Sequence, residues 1–355
     1  MNSLQKNTTQ RNNKNQPLCY FIRDICVKPA VVLAPMEGVT NIVFRRLMRK
    51  IGGMGLTYTE FIPSRGIIEN SKQFLQMAEF DKEESPIAIQ IYGNKPDMMA
   101  KAAQIVQDMG ADIVDINMGC PSKKVCSNSG GSALMKDPAL AIEIVRAVKK
   151  VLQVPLTVKM RSGFDASNRN APELAYMCQE EGAEGITIHW RTREDRYGGT
   201  RQIDKITQAK QKLHIPVIAN GDITDAKSAV QMVKETGCDG IMVGRGAMKN
   251  PWSLLEIAST FQQKPPPVIT SDDKKHLLLS FLDTHFERLR IEKAALGKFK
   301  GIAKHFCTGL ENGDQLRYHL LRAQSMDNVH HIVEEFFNNQ SCNHQSFTVE
   351  HYEKS

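Results

Sequence analysis

The chain has 355 residues, of which 41% are hydrophobic and 24% are charged, a composition typical of a globular protein rather than a disordered one. It contains no run of about 18 apolar residues, which excludes a membrane-spanning helix from the sequence. The formal net charge of +7 arises wholly within residues 1–258, because acidic and basic side chains balance in residues 259–355. A modest positive charge is compatible with a polyanionic partner but does not require one.

The start of the chain, residues 1–16, is polar and lacks the apolar segment of a signal peptide, so we expect it to be a flexible leader. The cysteines are scattered and show no Cys-x-x-Cys spacing. Neither a disulfide framework nor a zinc site is therefore expected, no metal is predicted, and a reducing cytoplasm is the simplest setting. The cysteines are Cys19, Cys26, Cys120, Cys126, Cys178, Cys238, Cys307 and Cys342.

Eight short apolar runs alternate with helix-like segments such as Pro96–Met109 and Pro138–Val151. Strict alternation of strand and helix predicts a parallel sheet, and eight such units in about 230 residues match a closed (β/α)₈ barrel. The alternative, an open doubly wound sheet, usually carries a Gly-x-Gly-x-x-Gly turn after its first strand, and this turn is missing here. We predict an α/β protein with a TIM barrel. Its strands are expected at Val31–Met36, Leu56–Glu60, Ile87–Ile91, Ile113–Asn117, Leu156–Met160, Gly185–His189, Pro216–Asn220 and Gly240–Val243.

A second region follows the barrel, which we place at residues 17–258. The run Lys264-Pro265-Pro266-Pro267 predicts a stiff linker, since consecutive prolines cannot lie inside a helix. Ser271-Asp272-Asp273 then offers a helix start, and apolar residues follow at helical spacing. The sequence therefore predicts a C-terminal all-helical domain at residues 259–340 and a polar tail at residues 341–355.

Polar residues stand at nearly every predicted strand end, where barrels of this kind gather their active sites. A buried polar group costs stability unless it is paired, so packing alone does not explain so many of them. We regard these positions as candidate site residues: Pro35, Met36, Glu37, Gln90, Asn117, Lys159, His189 and Asn220.

Two glycine-containing turns, Asn220-Gly221-Asp222 and Gly244-Arg245-Gly246, follow the last two strands. Barrels commonly hold a phosphate at this place through backbone N–H groups, and Arg245 can add a bidentate contact. Ordinary βα turns are the alternative, because glycine is common in turns.

Lys159 lies within an apolar strand, so if it points inward it must meet an anion or an electron-rich group such as a reduced flavin. Gln90 could bond the polar edge of the same ring, or it could be a satisfied core amide. Cys120 follows a strand end and lies between Gly119 and Pro121. Two interpretations of Cys120 remain open at this point: a functional thiol, or a small core residue.

Basic residues near the predicted barrel mouth and in the appendage could meet an RNA backbone, although a solvated face would look the same. Arg191 and Arg193 follow His189, and Lys304 belongs to a basic run in the helical region.

Taken together, the motifs resemble the tRNA-dihydrouridine synthase family, and the loop after Cys120 looks most like the bacterial B subgroup. The matching pieces run in family order across the whole predicted barrel. They are Ala34-Pro35-Met36-Glu37-Gly38-Val39-Thr40, Gln90-Ile91-Tyr92-Gly93, Asp115-Ile116-Asn117-Met118-Gly119-Cys120-Pro121, Val158-Lys159-Met160-Arg161, Ile188-His189, Arg191-Thr192-Arg193, Ala219-Asn220-Gly221-Asp222 and Val243-Gly244-Arg245-Gly246.

The resemblance implies an FMN cofactor, NADPH or NADH as reductant, and tRNA as the partner, with no obligate protein partner. It implies that Cys120 is the catalytic acid and that Asn117 lies near the uracil. The cofactor-binding residues implied by motif position are Pro35, Met36, Glu37, Gln90, Lys159, His189, Asn220, Gly221, Asp222, Gly244 and Arg245.

Two residues depart from the family pattern. This chain has Asn41 where the family usually has Asp, and Trp190 where the family usually has Gly. The indole could reshape the pocket rim or stack on a base. Two rival functions also remain: a flavin barrel that reduces a small molecule, and a non-catalytic RNA-binding barrel.

Overall fold

The computed structural model describes residues 9–126, 130–196 and 198–346. The chain divides into two compact units. The first comprises the chain as far as Ala247 together with Trp252–Pro266, and the second comprises Met248–Pro251 together with the chain from Pro267 onward.

Strands β1 to β12 of the described residues all belong to the first unit. Their bounds are β1 Gln10–Arg11, β2 Pro17–Ile22, β3 Ile25–Val27, β4 Val31–Leu33, β5 Thr57–Tyr58, β6 Ile62–Pro63, β7 Ile87–Tyr92, β8 Ile113–Met118, β9 Leu156–Arg161, β10 Gly185–His189, β11 Val217–Asn220 and β12 Gly240–Val243.

Helices α1 to α11 lie in or border the first unit, and α12 to α15 lie in the second. Their bounds are α1 Ile42–Ile51, α2 Ser64–Ile68, α3 Lys72–Ala78, α4 Pro96–Asp108, α5 Lys123–Cys126, α6 Pro138–Val151, α7 Ala171–Glu180, α8 Asp204–Lys212, α9 Ala226–Thr236, α10 Arg245–Lys249, α11 Ser253–Phe261, α12 Ser271–Leu289, α13 Glu292–Phe306, α14 Gly313–Arg322 and α15 Met326–Ser346.

The large sheet is a closed parallel barrel with strand order β4-β12-β11-β10-β9-β8-β7-β5. Its strands are almost wholly buried, which suits continuous apolar runs covered by helices on the outside. Val32 pairs with Leu56 in parallel, and the amide of Gly55 donates to the carbonyl of Val31 at 2.8 Å, so β4 meets β5 and the ring closes. This confirms the predicted (β/α)₈ fold and all eight predicted strands, and it excludes an open sheet.

Local signals place the helices between the strands. Pro138 occupies the first position of α6, and the Asp137 side chain accepts from the amide of Leu140 to cap it. The predicted helix Thr224–Thr236 begins later, at Ala226, because Asp225 forms a capping box with Ser228.

An antiparallel sheet of β1, β2 and β3, which the sequence analysis missed, covers the N-terminal end of the barrel. Tyr20, Ile22 and Val27 are fully buried and join the core cluster formed with barrel residues such as Leu56 and Met242. The ring of Tyr20 lies so close to Gly240, the first residue of β12, that a Cβ there would be 2.5 Å from its Cε1 atom. The opposite end of the barrel is left for the site.

The predicted flexible leader, residues 1–16, is wrong for the part that the structure describes. Arg11 donates to the carbonyl groups of Gly237 and Cys238 at 2.9 and 2.8 Å, and Asn12 donates to the carbonyl of Phe261 at 2.6 Å. Polar side chains thus tie this segment down where apolar contacts are few. Residues 1–8 lie outside the described residues.

The boundaries near the end of the barrel also differ from those expected at residues 258 and 340. Helix α11 continues to Phe261, because Leu254, Ile257 and Phe261 are buried, and the first unit extends to Pro266. Helix α15 continues to Ser346, so the expected polar tail begins as helix. Residues 347–355 of that tail lie outside the described residues.

The second unit has a helical core centred on Phe281. Its ring contacts His285 edge-on, with ring centroids 4.6 Å apart, and it packs near Phe299 and Phe306. Burial, followed by the charge of Lys298, lowers the pKa of His285 to about 4. Among the described residues, no helix of either unit combines the length and apolar character needed to cross a membrane.

The Tyr20 hydroxyl is buried and forms no hydrogen bond with a described residue, which gives a test of the N-terminal sheet. We expect Tyr20→Phe to change the free energy of unfolding by less than about 1 kcal/mol, because no hydrogen bond is lost. We expect Tyr20→Ala to cost about 3–5 kcal/mol through the cavity that it leaves. Urea unfolding of both variants measures this difference, and equal losses would contradict the packing described.

Candidate active site

The C-terminal ends of the barrel strands bring most of the predicted site residues to one mouth. Register pairs place Asn117 beside Lys159, and His189 beside both Arg161 and Asn220. Parallel strands of a closed barrel all end at the same rim, so residues far apart in sequence must meet there.

A continuous chain of buried amides starts at the base of the mouth. The carboxylate of Asp115 accepts from Gln90 Nε2 at 2.6 Å, and Gln90 Oε1 accepts from Asn117 Nδ2 at 2.7 Å. Asn117 Oδ1 then accepts from the backbone amides of Gly119 and Cys120 at 3.0 and 2.9 Å. Two predicted ligand contacts, Gln90 and Asn117, therefore also shape the loop that carries Cys120.

The loop of Cys120 is closed by bonds to its carbonyl oxygen. Ser132 donates to that oxygen from its amide at 3.1 Å and from its hydroxyl at 2.9 Å, and Cys126 Sγ approaches it at 3.4 Å. Gly131 allows this contact, since it has φ +58° and a Cβ there would lie 2.9 Å from the same oxygen. Burial, and to a lesser degree the carboxylate of Glu37, raises the pKa of the Cys120 thiol to about 11. The thiol is therefore protonated at neutral pH.

Lys159 extends into the mouth and forms no hydrogen bond or ion pair with a described residue. Burial and the nearby charge of Arg161 lower its pKa to about 8, while Asp115 opposes the shift. The ammonium group is thus charged at neutral pH and has no direct anionic partner among the described residues. This is the state expected of a side chain that binds an electron-rich ligand.

His189 is held as a neutral imidazole. Its Nδ1 atom accepts from the amide of Arg191 at 3.1 Å, so the ring hydrogen lies on Nε2. Burial and the surrounding charges place its pKa well below the usual value of 6.5, and Lys159 and Arg245 are both among those charges. Both side chains therefore lie near enough to His189 for their charges to act on its ring.

Asp222 joins the loops after β10 and β12. Arg191 binds its carboxylate with two nitrogens at 2.8 and 2.7 Å, and Arg245 reaches it at 3.1 Å. Arg191 Nε also donates to the carbonyl of Gly198 at 2.6 Å, and the side chain is 5% exposed. The predicted RNA contact Arg191 is thus placed beneath the surface, where it holds the predicted phosphate loop.

Gly221 permits a close approach of backbone to aromatic rings. It has φ +114°, and a Cβ there would lie 2.6 Å from Trp190 Cδ1 and 2.9 Å from His189 Cε1. Trp190 is 1% exposed, and the guanidinium of Arg191 lies 4.0 Å from its ring centroid. The indole therefore packs below the loop instead of forming the pocket rim, and the suggestion that it stacks on a base has no support in this structure.

The turn after β4 is built by polar contacts that also explain Asn41. Thr40 Oγ1 accepts from the amide of Met36 at 2.9 Å, and the amide of Gly38 donates to the carboxylate of Glu60. Asn41 caps α1 by accepting from the amide of Phe44 at 3.1 Å, a role that Asp fills equally well. The departure from the family pattern at this position is therefore conservative.

A fully buried ion pair supports this turn from below. Arg45 binds Glu84 through Nε at 2.6 Å and donates from Nη1 to the carbonyl of Thr40 at 2.8 Å. Gly244 lies beside this turn, since a Cβ there would be in ordinary contact with Met36 Sδ at 3.7 Å. The residues that should line the cofactor, including Pro35 and Glu37, thus stand on a fixed turn.

The remaining predicted contacts are placed as follows. Asn220 is 5% exposed and donates to the carbonyl of Met242 at 2.8 Å, which links β11 to β12. Arg193 packs over the ring of Phe164, with its Cζ 5.1 Å from the centroid. Lys304 lies in α13 of the second unit. Their roles toward cofactor and RNA stay predictions.

The structure adds functional candidates to which the sequence analysis assigned no role. Arg161 bonds the carbonyl groups of Gly119 and Thr192 at 2.9 and 2.6 Å, so it joins the Cys120 loop to the loop after β10. Asp115 and Ser132 hold the Cys120 loop as described above. A polar residue inside an apolar strand was the only available signal for Asp115 and Arg161. Among the described residues, no group of three or more His, Cys, Asp or Glu side chains is arranged to hold a metal ion.

Comparisons with known proteins identify relatives of this chain. The dihydrouridine synthase (Dus) family matches residues 32–341. A probable tRNA-dihydrouridine synthase of Rickettsia bellii is 42% identical over 254 residues, which are 70% of this chain and 78% of that protein. A tRNA-dihydrouridine synthase B of Xanthomonas axonopodis pv. citri is 41% identical over 244 residues, 68% of this chain and 73% of that protein.

Among solved structures, histamine dehydrogenase from Rhizobium sp. 4-9 shares the barrel fold, with a TM-score of 0.52 and 15% identity over 76% of this chain and 51% of that one. Fold and site together define a (β/α)₈-barrel protein whose strand ends bring polar side chains to one rim. The chain belongs to the dihydrouridine synthase family, and its relatives include proteins named for the B subgroup.

The environment of His189 predicts a specific protonation behaviour. Its depressed pKa means that folding opposes protonation, so the imidazole should stay neutral through the pH range in which an ordinary histidine gains its proton. As pH falls below about 6.5, the unfolded chain takes up the proton before the folded protein does, so the free energy of unfolding decreases there. Nitrogen-15 NMR of labelled histidine should report hydrogen on Nε2 alone. A titration with an ordinary pKa would contradict the buried, cation-surrounded ring.

Proposed function

We propose that the protein is a flavin-dependent tRNA-dihydrouridine synthase, an oxidoreductase that reduces the C5–C6 double bond of uridines in tRNA. The observation that carries this function is the meeting of a protonated thiol, Cys120, and an unpaired ammonium group, Lys159, at one barrel mouth. Family membership sets the reaction class. We propose the cytoplasm, where tRNA is available, as its location.

The mouth fits FMN. When bound, FMN supplies the hydride that reduces the uracil ring and takes its own reducing equivalents from NADPH or NADH. Lys159 would place its positive charge against the electron-rich side of the flavin ring, and Gln90 retains one Nε2 hydrogen that Asp115 does not use. Pro35, Met36 and Glu37 would line the ring on their fixed turn.

The phosphate end of the cofactor fits the two glycine turns. Gly221 lets its turn pack directly against the rings of Trp190 and His189, and Arg245 presents its guanidinium beside Asp222. Asn220 holds β11 against β12 beneath them. We propose that Arg191 acts on the same loop by orienting Asp222, while His189 stays neutral so that it adds no further positive charge.

Cys120 supplies the proton. A thiol with pKa about 11 remains protonated at neutral pH and can act as a general acid toward the developing carbanion at C5. Asn117 fixes the backbone of Cys120, and its remaining Nδ2 hydrogen is available to a uracil carbonyl oxygen. Lys159 would stabilise the negative charge that develops during transfer.

The target base has to leave its stacked environment to enter the mouth, at a cost of a few kcal/mol. We propose that basic side chains offset this cost by holding the tRNA backbone. Arg193 is half-buried against Phe164, and Lys136 Nζ lies 4.0 Å from the centroid of the same ring. Lys304 would serve the helical unit in the same way.

We expect Cys120→Ala to retain bound flavin and its reduction by NADPH, and to lose dihydrouridine formation by at least about 100-fold, the lower end of the range for general acid catalysis. Stopped-flow flavin reduction and quantitative dihydrouridine mapping in tRNA separate the two half-reactions. Cys126→Ala is the matched control, since its thiol also lies beside the Cys120 carbonyl. Unchanged turnover in Cys120→Ala would remove Cys120 from its acid role.

We expect Lys159→Met to weaken FMN binding by about 10-fold or more, because the variant nearly keeps the length of the side chain but removes its unpaired charge. Fluorescence titration of stripped protein with FMN measures the dissociation constant. Lys136→Met, outside the strand ends, should bind FMN as the parent does. NADPH oxidation measured with and without tRNA then distinguishes a tRNA enzyme from a small-molecule reductase.

A further inference from the structure

Asp115 is a fully buried carboxylate that belongs to no ligand contact proposed above. It lies at the middle of β8, in register with Gln90 of β7 and Thr157 of β9. Gln90 donates to its Oδ2 atom, and Thr157 donates to its Oδ1 atom. A buried charge of this kind costs free energy unless hydrogen bonds compensate it.

The direction of every bond in the amide chain follows from its two ends. The backbone amides of Gly119 and Cys120 can only donate, so Asn117 must present Oδ1 to them and Nδ2 to Gln90. Gln90 must then accept on Oε1 and turn its Nε2 toward Asp115. Side-chain amides can ordinarily be flipped without visible consequence, but here a flip of either one would set donor against donor.

We infer that Asp115 is a positioning residue, whose buried carboxylate fixes the amide order Gln90–Asn117 and thereby holds the backbone of Cys120 in place for proton transfer. The inference rests on the proposed function for what Cys120 does, but its geometry does not. A carboxylate at position 115 accepts from Gln90 and from Thr157 at once, whereas an amide there would have to turn its Nδ2 toward the Thr157 hydroxyl and reverse that bond.

The order has a consequence for recognition of the base. Both acceptor positions of Asn117 Oδ1 are occupied by backbone amides, so Asn117 has only one Nδ2 hydrogen left for a ligand. It can therefore meet a carbonyl oxygen of a base but not an N–H group. The donor and acceptor order that begins at Asp115 thus determines which hydrogen-bonding group Asn117 presents at the mouth of the barrel.

The test moves the carboxylate along the chain. Gln90→Glu should set two carboxylates against each other, 2.6 Å apart in the present positions of their atoms. The double variant Gln90→Glu with Asp115→Asn restores every bond, since the introduced glutamate accepts from both neighbouring amides and the introduced asparagine accepts from Thr157. Asn117→Asp with Asp115→Asn restores the bonds in a second way, with the amide of Gln90 reversed.

Two measurements on the flavin-loaded, full-length protein report the position of the Cys120 backbone directly. They are hydrogen–deuterium exchange of the Gly119 and Cys120 amides and the alkylation rate of the Cys120 thiol. We expect Gln90→Glu to speed exchange by about 10-fold, comparable to the loss of one buried hydrogen bond. Each double variant should return to within about 3-fold of the parent, a difference inside the usual uncertainty of one such bond. Asp115→Leu, which removes the acceptor altogether, should behave like Gln90→Glu.

Asp239→Asn is the matched control. Asp239 is also buried and accepts from Lys210 and from the amide of Val217, but it precedes β12 at the other end of the barrel. It should lower the thermal midpoint without changing exchange at Cys120. If the double variants are more perturbed than Gln90→Glu alone, Asp115 has a packing role only, and the inference fails.

These readouts are independent of dihydrouridine formation. A parent protein that does not modify tRNA would overturn the proposed function, while rescued exchange in the double variants would leave the positioning role standing. If the parent modifies tRNA but the double variants do not restore slow exchange, the positioning role fails and the proposed function stands. The FMN dissociation constant of each variant, measured alongside, isolates any direct contact of Gln90 with the cofactor.

Discussion

The unpaired ammonium group of Lys159 is the constraint around which the barrel mouth is arranged. A cation in a desolvated place with Arg161 nearby loses part of its affinity for a proton, and its pKa falls to about 8. The opposing charge is Asp115, whose own pKa burial raises to about 6. Between these two values the lysine is positive and the aspartate is negative. The mouth therefore carries its separated charges within the neutral range, and the charge of Lys159 has no direct anionic partner among the described residues.

Acidic side chains stabilise three loops of this mouth. Asp115 orders the amides that lead to Cys120, Asp222 holds Arg191 and Arg245 together, and Glu84 supports the turn after β4 through Arg45. The Arg45–Glu84 pair is fully removed from water and therefore costly to break, and the bidentate contact of Arg191 with Asp222 fixes its loop by geometry. The loops can then present glycines and exposed polar groups to a ligand without losing their shape.

The eight strands and the rim they share could be predicted from sequence, because the alternation of apolar runs and helices specifies a parallel barrel and the barrel specifies where strand ends meet. The sheet of β1 to β3 could not, because Arg11 and Asn12 are polar residues that bind carbonyl groups far along the chain. The burial of Trp190 and Arg191 also escaped prediction, since both follow a strand end and only the positions of Gly221 and Asp222 decide which way they turn. The pairing of Asp115 with Gln90 depends on the register of two strands, which no local pattern contains.

The environment of Cys120 separates two chemistries that one cysteine can perform. A nucleophilic cysteine needs a lowered pKa, supplied by a helix N-terminus or by adjacent cations. Here desolvation outweighs the attraction of Arg161, and the carboxylate of Glu37 acts in the same direction as desolvation, so the neutral thiol is favoured. A thiol this weak as an acid gives its proton only to a strong base, such as a carbanion on a ring carbon. In the proposed reaction the pocket would keep the proton on sulfur until the substrate has acquired negative charge, which is the order that addition of hydrogen across a carbon–carbon double bond requires.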